Sequence, residues 1–160
     1  MKAITILQPF ASLIACGAKK IETRSWATKY RGKIAIHAGK AGNTELCLAN
    51  PYYSTLNQLG EDPYKLPLGA VIAIADLVDC YYIVYHPGTN IDVAKNIKIG
   101  AESMTENKRD SDFGKYIVPS DQEFAFGDWT PGRYAWILEN VRPIEPVPAR
   151  GMQRLWEWRQ

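Results

Sequence analysis

Cysteine and histidine are scarce: three of one (Cys16, Cys47, Cys80) and two of the other (His37, His86). An odd number of widely spaced thiols in apolar surroundings offers no disulfide framework and suits a reducing, cytoplasmic setting. The histidines stand 49 positions apart with no cysteine or carboxylate at ligand spacing, which argues against a dedicated zinc site. No apolar run approaches the ~20 residues needed to cross a bilayer. Gln8 and Pro9 interrupt the short apolar start MKAITILQPF, and no small-residue cleavage site follows, so no signal peptide is read. The chain has no Gly-x-Ser-x-Gly elbow, phosphate loop or dinucleotide fingerprint, and no repeat or low-complexity tract.

Net charge is also small, +2 over 160 residues, but it is unevenly spread. Between Gln8 and Lys40 stand seven cations (Lys19, Lys20, Arg24, Lys29, Arg31, Lys33, Lys40) and one acid, Glu22. The rest of the chain holds twelve basic and sixteen acidic residues. Trp26 and Tyr30 lie inside the basic window. Cations interleaved with aromatics neutralise phosphates and stack on bases, which points toward a nucleic acid or nucleotide ligand. A 46% apolar fraction with 11% aromatics is that of a folded globule, and the length suits one domain with a real core.

Alternation from Lys2 to Leu7 predicts a strand. Pro9 suits a first helical position, Phe10 to Cys16 a short helix, and Gly17 its C-terminal cap. From Lys20 to Trp26 the pattern is that of a strand with Lys20, Glu22, Arg24 and Trp26 on one face. Tyr30 to Gly32 reads as a turn and Lys33 to His37 as the next strand. Gly39 to Asn57 is helix-compatible within the limit set by Pro51. Leu68 to Cys80 is the strongest core strand. Tyr81 to Ser120, richer in Asp, Lys, Asn and Ser, reads as an irregular excursion with a turn at His86-Pro87-Gly88. GDWTPG (127–132) is turn chemistry, followed by a strand from Arg133 to Val141 that Pro143, Pro146 and Pro148 should stop. Arg150 to Trp158 reads as a short closing helix, with Leu155, Trp156 and Trp158 for packing. Several short strands with few helices suggest a small, strongly bent sheet or barrel.

The run Gly17-x-Lys19-x-x-Glu22-x-Arg24-Ser25-Trp26-x-Thr28-x-x-Arg31-Gly32 resembles the signature of the activating-signal-cointegrator homology (ASCH) domain. QPFASLI before it, PLGAVIAIADLVDC after it and Gly132-Arg133-Tyr134-Ala135-Trp136 near the end are similar to that family's first helix, central strand and final core strand. The resemblance covers most of the chain outside residues 81–120. It implies a single domain over residues 1–160, α+β and mainly β: a small PUA-like β-barrel with short helices plugging its ends. It also implies a cleft lined by the Lys-x-x-Glu-x-Arg segment, facing RNA, single-stranded nucleic acid or a nucleotide. Family members are similar in fold but not in activity: some are binding modules, some metal-dependent ribonucleases, some amidohydrolases of N4-acetylcytidine.

The expected binding set is therefore Lys19, Lys20, Glu22, Arg24, Trp26, Arg31, His37 and Lys40. Lys19 supplies a cation for a phosphate, and Arg24 a forked contact to a phosphate or base edge. Glu22, among cations, should stay ionised and accept from a base amino group. The plainer reading is a surface ion-pair cluster contributing ~0–1 kcal/mol. Trp26 suits base stacking and rim packing equally, Tyr30 packing, and His37 either the cleft or a hydrogen-bonded structural position. Under the hydrolase alternative, Lys19 works with Glu22 or Asp76 as acid and base. Acetylcytidine hydrolases align a Thr nucleophile with Glu22; neighbouring Thr23 should face the opposite side of the strand. Metal-assisted cleavage would bring in a divalent metal and need carboxylates such as Asp76, Asp79, Asp110 or Asp112 to converge; otherwise no cofactor is expected. A third reading makes residues 81–120 a protein-interaction module.

Overall fold

The computed structural model describes residues 1–86, 91–95 and 116–159. It divides into two compact units. One comprises Met1–Lys20, Arg31–Val78 and Leu138–Gln160; the other comprises Ile21–Tyr30 and Asp79–Ile137. Both are predominantly β.

In the first unit, β1 (Lys2–Gln8) runs parallel to β3 (Gly32–Gly42), with Ile4 opposite Ile36 and Thr5 opposite His37. Both strands are apolar on both faces because both faces are covered. Ala3 and Ala35 pack with Val71, Trp156 and Trp158, while Ile4, Ile6, Ile34 and Ile36 are fully buried on the alternate positions. Each such isoleucine contributes ~1.5–3 kcal/mol by leaving water. Helix α1 (Phe10–Ala15) packs on β1 and β3. The cap residue Pro9 makes no side-chain cap bond, and Gln8 does the capping instead: its Oε1 accepts from the Ser12 N–H at 3.0 Å, and its Nε2 donates to Ser12 Oγ and to the Pro67 carbonyl. Gly17, with φ of 81°, turns the chain out of the helix. The helix-compatible stretch resolves into α2 (Thr44–Leu48), capped by Asn43, and α3 (Tyr52–Gln58), split where Pro51 cannot sit in a helix interior. Burial pushes the Cys16 and Cys47 thiols up, toward the inert protonated form.

Three departures from expectation have physical reasons. The central strand β4 runs from Ala70 to His86, past Cys80, so the supposed excursion begins as strand. Strand β7 (Tyr134–Pro148) continues through Pro143, Pro146 and Pro148. It is flanked by β2 only over Tyr134–Ile137, and a strand with one open edge tolerates exposed prolines that a central strand would not. The C-terminus forms β8 (Leu155–Glu157), not a helix. Extended backbone lets residues two apart share a face, and β8 with the residue after it buries Trp156 and Trp158 together while supplying the ladder that the edge of β1 lacks. The Met1 ammonium donates to the Trp158 carbonyl at 3.0 Å, and Lys2 meets Glu157 at 2.7 Å.

In the second unit, β2 (Ile21–Arg24) pairs antiparallel with β7, and the latter half of β4 pairs with β5 (Ile91–Lys95), which pairs with β6 (Tyr116–Ile117). Helix α4 (Asp121–Ala125) starts at Ser120, whose hydroxyl accepts from the Glu123 N–H. Ile21, Ile83, Ala94, Trp129 and Ala135 form the core. Strand order is β7-β4-β3-β1-β8 in the first unit and β2-β7-β4-β5-β6 in the second; the closing pair that a barrel requires is not among the described strands. Asp110, Asp112 and the His86-Pro87-Gly88 turn beyond His86 lie outside the described residues.

The segment leading to β8 lies on His37, which is 1% exposed. Its Nε2 is 3.1 Å from the Ala149 carbonyl, which makes it the donor there, and its ring meets the edge of Trp156. A Cβ added to Gly151 would stand 2.7 Å from His37 Nδ1 and 2.8 Å from Thr5 Oγ1. We expect Gly151→Ala to destabilise the fold by ~1–3 kcal/mol through overpacking, measured by denaturant unfolding. Burial lowers the His37 pKa below its ordinary 6.5. The unfolded chain then binds the proton more readily, so this contribution to stability is complete above pH 6.5 and lost as pH falls toward the folded pKa. The melting temperature of the wild type should drop more between pH 7.5 and 5.5 than that of His37→Gln; equal drops would contradict the assignment.

Candidate functional site

The chemistry of the motif rests on the pairing of β2. Glu22 lies across from Trp136 and Arg24 across from Tyr134, so Glu22 and Arg24 project from the same face two residues apart, as alternation predicts. Thr23 projects the other way. Its Oγ1 accepts from the Asp128 N–H at 2.9 Å and its carbonyl from the Arg133 guanidinium at 3.4 Å, which ties it into the GDWTPG turn. The Thr130 hydroxyl, with the Thr130 N–H and Arg133, holds the Asp128 carboxyl below its ordinary range.

Glu22 is 7% exposed, and its Oε1 lies 3.4 Å from Arg24 Nη1. That separation is at the long end for a hydrogen bond, so charge attraction is the larger part of the contact. The Arg24 guanidinium carbon is 6.0 Å from the centroid of the Trp26 ring, the outer range of a cation–π contact. Strand β2 ends at Arg24, so Trp26 is placed by packing and not by strand alternation. Its ring meets Trp136 edge-on at 4.6 Å and 87°, and its carbonyl accepts from Trp136 Nε1 at 3.3 Å. Trp26 is half-buried, so it is both rim packing and a ring within reach of solvent. Trp136, expected only as core, is the support on which Trp26 stands.

Glu123 belongs to this unit and was not anticipated. Its Oε2 accepts from the Ile21 N–H at 3.3 Å and its backbone carbonyl from Trp129 Nε1 at 2.9 Å, which fixes the start of β2. The signal was present in the Ser120-x-x-Glu123 capping pattern, although the carboxylate reaches Ile21 instead of its own cap.

The other expected binding residues, Lys19, Lys20, Arg31, His37 and Lys40, belong to the first unit. Lys19 is 1% exposed, a buried ammonium and not a mobile surface cation. Its backbone N–H donates to the Leu13 carbonyl, and its Nζ lies 5.9 Å from the centroid of Phe10, whose ring meets Tyr52 edge-on. Lys20 and Arg31 are exposed. Lys40 is exposed with its stem laid against Gly69. His37 is held under the C-terminal segment. Asp76 is engaged on both oxygens, by Asn140 Nδ2 at 2.9 Å and Lys33 Nζ at 3.8 Å. Asp79, in the second unit, accepts from the Cys80 N–H. Among the described residues, no group of three or more His, Cys, Asp or Glu is placed to hold a metal ion, and no helix is long and apolar enough to cross a membrane.

Comparison with known proteins agrees with the motif. Human and mouse activating signal cointegrator 1 are each 37% identical to this chain over 82 residues. That match takes in 48% of the chain but only 14% of the length of either relative. The crystal structure of ASCH from Zymomonas mobilis superposes with a TM-score of 0.50 at 16% identity, covering 99% of this chain and 87% of that one; the likeness is one of fold. Residues 4–148 match the model of the ASCH domain, and the chain belongs to that family.

Proposed function

We propose that this ASCH domain binds single-stranded RNA or a nucleotide, and that Glu22, Arg24 and Trp26 recognise it. The observation that carries the reading is the sequence of contacts within the second unit: carboxylate to guanidinium, guanidinium to indole, indole to the buried Trp136. A charged acceptor, a forked donor and a supported ring are the groups that read a base edge, meet a phosphate and stack on a base. Their mutual contacts fix the geometry before the ligand arrives, which lowers the ordering cost of binding. The basic window around them supplies the long-range attraction. Three free cysteines are consistent with a reducing, cytoplasmic compartment on this reading.

Hydrolysis is the alternative, with Glu22 as its base. Thr23 supports no role as nucleophile, since its hydroxyl belongs to the Asp128 turn. Asp76 supports little as a free base, given its two partners.

Fluorescence anisotropy with a labelled oligoribonucleotide tests the proposal. We expect affinity that weakens with salt and falls about tenfold or more in Arg24→Ala, with a smaller loss in Trp26→Ala, since stacking is worth ~1–3 kcal/mol per base. Affinity indifferent to salt and to Arg24→Ala would refute it. A mass-spectrometric time course with acylated cytidine covers the alternative: deacylation abolished by Glu22→Gln would replace binding by hydrolysis.

A further inference from the structure

The first unit carries a second cationic surface that the motif does not include. It is built where β3 ends, at Gly39-Lys40-Ala41-Gly42. A Cβ on Gly39 would stand 3.1 Å from the Leu7 side chain and one on Gly42 3.5 Å from Leu68, so these side chains lie on β3 at either side of Lys40. The Lys40 stem crosses Gly69, where a Cβ would stand 3.0 Å from Lys40 Cγ. The Gly69 carbonyl accepts from the N–H of Ala149, the residue before Arg150. Gly151 then packs on His37, and the Met152 carbonyl accepts from Thr5 Oγ1, two residues before Leu7 on the same face of β1. The contacts close on themselves, and Lys40 and Arg150 flank the Gly69–Ala149 hydrogen bond.

The chemistry of this surface is unusual for a solvated face. Lys40 and Arg150 are exposed, and among the described residues neither has an ion pair. Glu45, in the first turn of α2, is the acid nearest to Lys40 along the chain. Leu7, Leu68 and Met152, carried by the segments that build this surface, are 53%, 49% and 52% exposed, large apolar side chains left in water.

We propose that this surface binds the backbone of a single-stranded RNA, with Lys40 and Arg150 on successive phosphates and the three aliphatic side chains against base faces. A single strand shows phosphates along one side and unstacked bases along the other, which matches cations set beside aliphatic side chains; a duplex hides its base faces. The ligand class is that of the proposed function, on which this inference rests, but the residues are different.

The test is a salt titration of the affinity for a fluorescein-labelled oligouridylate. It compares the wild type, the double variant Lys40→Gln/Arg150→Gln, which keeps most of the stems, and Arg24→Ala, with thermal melts to show that each is folded. Loss of two phosphate contacts should reduce the log–log slope by about 1.4, since each contributes ~0.7 on a single strand. A slope unchanged in the double variant while Arg24→Ala weakens binding overturns this inference and leaves the motif site standing. A reduced slope with Arg24→Ala unaffected supports it and overturns the motif site. Binding of an oligoglutamate peptide in place of RNA, or no RNA binding by the wild type, overturns the assignment of RNA to this surface.

Discussion

The parallel ladder between β1 and β3 is the constraint on which the first unit depends. Parallel pairing needs both faces covered, because its strands carry apolar side chains in both directions. Everything else in that unit answers this need. The C-terminal segment returns with Trp156 and Trp158 for the face of Ala3 and Ala35, and α1 supplies Leu13 and Ile14. The buried polar groups of that unit are satisfied within it: Gln8, Ser12 and His37 Nε2 all reach hydrogen-bond partners as burial requires.

In the second unit the motif is a strand and a strand-end, and its geometry comes from β7. Glu22 is set by its register against Trp136, and Trp26 by packing on the same residue. One indole therefore places both the acid and the ring that the motif spells out. Its own position owes nothing to charge. A recognition surface assembled on a buried aromatic is stiff, since the polar groups cannot shift without disturbing core packing.

Much of this was legible from residue order alone. Alternation marks β1 and the facing of Glu22 and Arg24 away from Thr23, a nearly continuous apolar run marks the start of β4, and Gly17 marks the end of α1. What it missed has identifiable causes. A strand end can be placed by packing alone, so Trp26 could not be put on a face by alternation. Prolines read as stops are tolerated on the open edge of β7, and edges are a property of pairing, which sequence does not display. Arg150 to Trp158 reads as a short helix, but the unfilled edge of β1 takes Leu155–Glu157 as a strand. Lys19 showed in the motif, but its burial over Phe10 depends on how the chain leaves α1.

The proline-bearing stretch of β7 also bears on how this protein keeps company with itself. An open strand edge is a template on which another copy can add a strand, the first step of sheet-to-sheet aggregation. From Pro143 to Pro148 half of the residues have no N–H to offer, and all three prolines are exposed. The same residues that cost the strand some regularity leave an incoming chain with an incomplete ladder, so the edge is closed by its chemistry where no described strand pairs with it.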